Sequence, residues 1–290
     1  MGNKKHLWLI AGFFFAIFWS SASTATKIGL NVAQPLVIAV VRFAMAALIM
    51  LFVSHFIQKN RLPKGSEWVQ ISIYGVLNIS IYLGLYVVAM KEVTAGIGAL
   101  AVAINPVLIS FFSVVFLNKK LTSSLLSALI IGVLGLVCAA WPLFGSATVT
   151  IEGIVILFVS MLSYALAAVY FSAKKWSGLN LITINGWQTF IGGVALLPFL
   201  ILFYDEQQNH FNLEFWYSVS WLAIPVSIGA VQLWLWLLKT DALKAGLWLF
   251  LCPLFGFIIA SFLTHEPISV YTFVGVAFVL LGLFIAKKSK

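Results

Sequence analysis

The chain has 290 residues, of which 62% are apolar and 9% are charged, whereas soluble domains have roughly 45 to 50% apolar and roughly 25% charged residues. This composition excludes a water-soluble fold. The net charge of +9 would favour nucleic acid as the partner of a soluble protein, but the basic residues form short clusters between apolar segments, so we expect a lipid bilayer and no nucleic acid as the partner.

Apolar segments of membrane-spanning length follow one another along the whole chain. Because a helix needs roughly 20 apolar residues to cross a bilayer, charge clusters and turn residues divide the chain into ten predicted transmembrane helices. The first segment follows Lys4 and Lys5 as a signal peptide would, but its length favours a retained helix. In chain order these helices are Leu7–Thr26, Pro35–Ile57, Trp68–Met90, Val93–Leu117, Ser124–Pro142, Gly153–Ala173, Leu181–Tyr204, Phe215–Leu238, Ala245–Thr264 and Val270–Ala286.

Lysine and arginine decide the predicted orientation, because these residues favour cytoplasmic loops. An even number of helices puts both termini on the same side. Placing them in the cytoplasm puts 14 of the 17 basic residues inside and six of the eight acidic residues outside. We therefore predict an all-α, multi-pass protein of the inner cell membrane with both termini cytoplasmic.

An internal repeat relates the two halves of the chain. A shift of 147 residues lays the fourth and fifth predicted helices on the ninth and tenth, and it brings Pro106 onto Pro253. Since each half then holds five helices, an odd number, the second half must cross the membrane in the opposite direction. Such inverted repeats are typical of transporters that alternate access to a site between their halves. The two predicted repeats are residues 1–145 and 146–290.

Small residues recur on one face of the fifth and of the tenth predicted helix. Because lipid provides no hydrophobic drive between helices, close backbone approach along such stripes is a main source of helix association. We therefore predict that these two helices pack together, although each stripe could instead face lipid or another helix. The stripes consist of Ala128, Gly132, Gly135 and Ala139 in the fifth helix, and of Gly275, Gly282 and Ala286 in the tenth.

Polar and aromatic side chains at helical spacing mark the faces that we expect to turn towards the bundle interior, because a polar group in hydrocarbon needs a partner. Aromatic rings with a few amides suit an amphiphilic organic solute and suit an ion poorly. Helix packing is the alternative for the residues nearer the middle of their helices, which are Trp19, Tyr82, Asn105, Trp234 and Trp248. The predicted substrate-binding residues are Trp19, Ser23, Arg42, Asn78, Tyr82, Tyr86, Asn105, Tyr164, Gln188, Trp234 and Trp248.

Arg42 is the one ionisable residue well inside a predicted helix, roughly 10 Å beyond the start of the second helix by the rise per residue. An embedded arginine could hold a substrate carboxylate in a bidentate pair. The alternative is that it snorkels outward, or pairs with carbonyl groups and fixes helix packing.

Several residue classes are missing from the predicted helices. No Asp or Glu lies in a helix interior, so we expect no coupling through an intramembrane carboxylate. The loop acids and histidines form no convergent set for catalysis, which argues against a membrane-embedded enzyme. Cys138 and Cys252 have no ligand partner at useful spacing, and we interpret them as packing residues. We predict no catalytic residue, metal or cofactor.

The first and second predicted helices contain short motifs in a defined order and spacing. Trp19-Ser20-Ser21 is followed by Lys27, and Arg42-Phe43 opens an Ala- and Leu-rich stretch. This pattern resembles the drug/metabolite transporter superfamily, specifically its ten-helix EamA-type exporters. The chain departs from that family at Asn118-Lys119-Lys120-Leu121, where Gly-Glu-Arg-Leu is frequent. The resemblance implies export of small metabolites, amino acids prominent among them, or of drugs.

We therefore predict an exporter of small amphiphilic metabolites, with apolar or aromatic amino acids first among them. It is expected to work as a monomer, by alternating access. The alternatives are a multidrug or other metabolite exporter with proton coupling, and a membrane-embedded enzyme.

Overall fold

The computed structural model describes residues 2–102, 104–117, 123–141, 149–234, 236–237, 248, 251–265 and 268–288. Within these residues, seven helices are long and apolar enough to cross a membrane, and shorter apolar helices accompany them. The helices are α1 Gly2–Leu30, α2 Pro35–Ile57, α3 Ser66–Ala89, α4 in two parts Ala95–Val102 and Asn105–Leu117, α5 Ser123–Ala140, α6 Ile151–Ala173, α7 Leu181–Phe203, α8 Leu213–Trp234, α9 Cys252–Thr264 and α10 Val270–Lys288.

The predicted spans lie on these helices, except that the fourth is interrupted and the described part of the ninth helix begins only at Cys252, after Leu251 in a turn. The prediction of an all-helical membrane fold is confirmed. The predicted helix ends Pro142, Leu238 and Ala245 lie outside the described residues. So do Asn118-Lys119-Lys120-Leu121 and residues 145 and 146, where the two repeats are predicted to join. The count of ten crossings and the side of the termini remain predictions.

The fourth helix departs from its predicted span. Val93–Leu117 was expected to be one helix, but Ile104 lies in a turn and a second helical part begins at Asn105. Pro106 is the next residue. In the first turn of a helix the N–H groups have no intrahelical partner, so the missing N–H of proline costs no hydrogen bond there. Because Pro106 has no N–H to donate to the carbonyl of Val102, four residues earlier, a helix break before Asn105 is expected on local grounds.

The shift of 147 residues relates the observed helices as well as the sequence. It carries Asn105–Leu117 onto Cys252–Thr264 residue for residue, and it carries the first residue of α5, Ser123, onto the first residue of α10, Val270. The start of α3 falls in the same way on the start of α8. The two halves are therefore built from matching helices.

Helices α3 and α8, the third of each half, share a local deviation from α-helical geometry. Their backbones are π-helical over Val76–Leu83 and over Leu222–Ala230, which the same shift superposes to within one residue. In α8, Pro225 has no N–H to donate, and the hydroxyl of Ser227 donates to the carbonyl of Leu222 at 2.9 Å. π-helical turns inside α-helices are frequent at functional sites.

Helices α2 and α7, the second of each half, pack against each other in opposite directions. The side chain of Gln34 at the start of α2 donates to the carbonyl of Phe203 at the end of α7. The hydroxyl of Ser54, near the end of α2, lies 2.6 Å from that of Thr183 near the start of α7. Equivalent helices that run antiparallel are what an inverted repeat requires.

Helices α5 and α10 also pack together, and the predicted pairing of these helices is confirmed. A Cβ atom added to Gly135 would lie 2.7 Å from the carbonyl oxygen of Gly275, and one added to Gly275 would lie 2.6 Å from the Cβ of Ala139. Only glycine permits this backbone approach. The side chains of Ala128 and Ala286, which belong to the predicted stripes, lie outside the described part of the chain.

The first helix of each half packs mainly against the other half. Helix α1 lies against α8 and α9, and α6 lies against α3 and α4. The halves therefore interleave, so that the interior of the bundle is enclosed by helices from both.

Candidate substrate cavity

A cavity of about 230 Å³ lies inside the bundle, between the two halves. Pockets of roughly 300 to 1,000 Å³ hold drug-sized ligands, so this volume suits a small metabolite. Nine of the eleven predicted binding residues line the cavity: Trp19, Ser23, Arg42, Asn78, Tyr82, Tyr86, Tyr164, Gln188 and Trp234.

Aromatic rings form one part of the wall. The ring centroids of Tyr82 in α3 and Tyr164 in α6 lie 4.7 Å apart, so that two rings from different halves meet in the lining. On α1, Phe15 stacks on Trp234 at 4.9 Å and packs near Trp19 at 5.7 Å. Phe15 is fully buried and holds both tryptophans in place, a role that its apolar surroundings in the sequence did not reveal.

Amide side chains form a second part of the wall. Asn78 in α3 donates to the Oε1 of Gln188 in α7 at 3.1 Å, and Gln188 in turn donates to the Oδ1 of Asn185 at 2.8 Å. The amide of Asn185 continues this chain to the carbonyl of Ser227 in α8. Asn185 was absent from the predicted set, although its position three residues before Gln188 puts both on one helix face.

Arg42 lies at the end of this hydrogen-bond chain and is 3% exposed. Its Nε donates to the Oγ of Ser227, in the other half, at 2.9 Å. The alternative that Arg42 snorkels outward is therefore wrong, since the side chain turns into the bundle. The sequence contained no signal for Ser227, because a serine in an apolar helix most often bonds a nearby carbonyl of its own helix.

Two predicted residues lie outside the cavity lining. Asn105 is buried where the second part of α4 begins, and neither of its amide atoms has a hydrogen-bond partner among the residues that the structure describes. The indole of Trp248 packs against Trp8, with ring centroids 5.5 Å apart, and against the backbone of Gly12. The structure thus places Trp248 in helix packing. Conversely, it places Cys252, which we had interpreted as a packing residue, in the cavity lining.

At one end of the bundle the two halves are joined by a group of contacts that we call the outer clasp. It consists of Ala25, Asn31, Glu214 and Ser218. The amide of Asn31 donates to a carboxylate oxygen of Glu214 at 3.3 Å, and the hydroxyl of Ser218 donates to the carbonyl of Ala25 at 2.6 Å. The lysine-based orientation puts this end outside the cell.

The lining reaches the opposite end of the bundle. It includes Tyr74 near the start of α3 and Phe171 and Ser172 near the end of α6, where Ser172 is exposed. This end also carries an ion pair between the exposed Arg61 and the buried Glu67, in which Arg61 donates to both carboxylate oxygens at 2.7 Å. These bonds raise the pKa of Arg61 above its ordinary value. The lysine-based orientation puts this end in the cytoplasm.

The chemistry of the cavity follows from these side chains. Among the described residues that line it, Arg42 carries the one charged group. Within the described parts of the chain, no three His, Cys, Asp or Glu side chains lie together as metal ligands would. The cavity therefore offers aromatic faces, amide groups and one guanidinium to a bound molecule.

Comparison with known proteins gives one consistent result. The model of the EamA-like transporter family matches residues 6–141 and again residues 151–287. An uncharacterized transporter of Archaeoglobus fulgidus is 27% identical over 276 residues, which cover 94% of this chain and 96% of that protein. Protein PecM of Dickeya dadantii is 26% identical over 280 residues, covering 95% and 90%.

A solved crystal structure has the same fold. It matches with a TM-score of 0.67 at 17% sequence identity and covers 96% of this chain and 95% of its own. The sequence family extends over nearly the whole chain, and its members are named as transporters. This chain belongs to the EamA-like transporter family and is a membrane transporter.

Proposed function

We propose that the protein exports small amphiphilic metabolites through the cavity by alternating access, and that amino acids with apolar or aromatic side chains are the first class to test. The observation that carries this proposal is that the cavity wall is shared between the halves. Tyr82 and Tyr164 meet across it, and Arg42 bonds Ser227 across it. A movement of one half against the other would therefore remodel the site itself.

The position of the cavity supports export. Its lining extends to the end predicted to face the cytoplasm, while the outer clasp joins the halves at the other end. In this arrangement a solute would enter from the cytoplasm, and opening of the outer clasp would release it outside. The volume of about 230 Å³ favours single metabolites over larger drugs.

The residues of the cavity give little support to the alternative of a proton-coupled exporter. The described residues that line the cavity include no Asp or Glu, so they provide no carboxylate to accept and carry a proton. We propose export down the substrate gradient or by exchange.

The test is the flux of radiolabelled phenylalanine, leucine and related metabolites into proteoliposomes. We expect a transported solute to move faster than into protein-free vesicles, and Tyr82→Ala to lower the initial rate about tenfold or more, because the loss of an aromatic contact and a widened wall weaken binding. Tyr217→Ala is the matched control, since Tyr217 is 72% exposed outside the cavity.

Tyr82→Ala should keep a melting temperature close to that of the unaltered protein. An equal rate in Tyr82→Ala and Tyr217→Ala would contradict a binding role for this cavity, and equal flux with and without protein, across the whole panel, would contradict export.

A further inference from the structure

Arg42 has unused hydrogen-bonding capacity inside the cavity. A guanidinium has five N–H groups, and Arg42 donates the one on Nε to Ser227. In the described structure, its Nη1 and Nη2 have no protein hydrogen-bond partner, and no carboxylate lies within 4 Å of it. A charge that is 3% exposed carries a desolvation penalty unless a partner offsets it.

We infer that the transported molecule is an organic monoanion whose carboxylate binds end-on to Nη1 and Nη2 of Arg42 and whose flat apolar part lies against Tyr82 and Tyr164. This inference rests on the proposed export of small amphiphilic metabolites and, within that class, places carboxylates without an amine ahead of amino acids. The geometry is that of a bidentate arginine–carboxylate pair, in which two parallel N–H groups face two oxygens. Ser227 fixes the guanidinium at Nε and leaves the edge formed by Nη1 and Nη2 free for the carboxylate.

The charges of the lining residues favour binding of an anion over binding of a zwitterion or a cation. None of the lining residues in the described part of the chain is acidic, so an ammonium group on the substrate finds no charged partner among them. In an α-amino acid the ammonium is bound to the carbon next to the carboxylate, and binding to Arg42 would bring it close to the guanidinium. Like charges at such distances repel strongly where water is excluded. Among molecules with the same ring, the carboxylate without an amine should therefore bind best.

The neighbouring rings select the rest of the molecule. Tyr82 lies beside Tyr164 at 4.7 Å and beside Tyr86 at 6.2 Å between ring centroids. Aromatic faces at this spacing favour an offset or edge-to-face contact with a further ring. An arylalkanoate combines both requirements.

Three probes with one phenyl ring test the charge preference: 3-phenylpropanoate, phenylalanine and 2-phenylethylamine. Calorimetry and thermal shift with the purified full-length protein should rank them in that order, with the carboxylate bound at least tenfold more tightly than the amine. Arg42→Gln should weaken binding of 3-phenylpropanoate about tenfold to a hundredfold, the range for hydrogen bonds to a charged group. It should not weaken binding of 2-phenylethylamine.

Two further variants sharpen the test. Arg42→Lys keeps the charge but loses the planar fork, so its affinity for 3-phenylpropanoate should fall between those of the unaltered protein and Arg42→Gln. Lys175→Gln removes one exposed positive charge in a loop outside the cavity and should change no affinity. If Arg42→Gln does not fold, the ranking of the three probes on the unaltered protein and on Arg42→Lys decides.

Equal affinity for all three probes, or an unchanged affinity of Arg42→Gln for 3-phenylpropanoate, would overturn the inference. Proteoliposome flux separates this failure from that of the proposed function. Flux of other metabolites without preference for carboxylates would overturn the anion site and leave export intact. No protein-dependent flux of any solute would overturn export.

Discussion

Gly135→Leu is expected to destabilise the folded protein severely, with a lower melting temperature and less protein recovered from membranes. Helices α5 and α10 approach so closely at Gly135 that even a Cβ atom would lie 2.7 Å from the Gly275 carbonyl oxygen and 2.9 Å from the Cβ of Phe278. Overpacking of this kind costs about 1 to 3 kcal/mol or more. Because these helices lie away from the cavity lining, the fraction that folds should keep its substrate selectivity.

Gly132 provides the matched control on the same helix. A Cβ atom there would lie 3.8 Å from Ile104, an ordinary contact. Gly132→Ala should therefore keep the melting temperature, while Gly135→Ala should lower it. Equal melting temperatures for the two alanine variants would contradict the close approach of α5 and α10.

A cross-link across the outer clasp is expected to stop transport completely. Asn31 and Glu214 belong to different halves, and their side chains lie 3.3 Å apart. In the double variant Asn31→Cys, Glu214→Cys, a short bis-methanethiosulfonate reagent should tie the halves at this end. Since alternating access requires that end to open, solute flux in proteoliposomes should fall to the level of protein-free vesicles.

Reduction of the cross-link should restore the flux, which shows that the protein remained folded. The single variants treated with the same reagent should transport at their untreated rates. Undiminished flux in the fully cross-linked protein would show that the solute does not leave through a movement at this end.

Much of this architecture could be predicted because a lipid environment restricts the sequence patterns that a membrane helix can have. Long apolar segments mark the helices, and a polar side chain in hydrocarbon must turn inward, so Asn78, Tyr82 and Gln188 could be assigned to the interior from spacing alone. The small residues at Gly135 and Gly275 predicted the α5–α10 contact for a similar reason, since close approach needs small side chains.

The remainder depends on contacts between distant segments. Asn105 and Trp248 resemble lining residues in the sequence, but the break in α4 and the packing of Trp248 on Gly12 decide their positions. Ser227 gains its role only from Arg42, 185 residues away. The π-helical segments of α3 and α8 could not be predicted from a repeated motif. The shift of 147 residues places Pro225 of α8 on Asn78 of α3, so the two segments do not share the proline.

We expect a transported solute to occupy the cavity between the halves, and Cys252 reports on this directly. It lies in the lining and is 1% exposed, whereas Cys138 lies in α5, outside the lining. In Cys138→Ala protein, a saturating transported solute should slow alkylation of Cys252 by N-ethylmaleimide several-fold. In Cys252→Ala protein, the same solute should leave the rate at Cys138 unchanged. Alkylation of Cys252 at the same rate with and without a solute that is being transported would contradict the account.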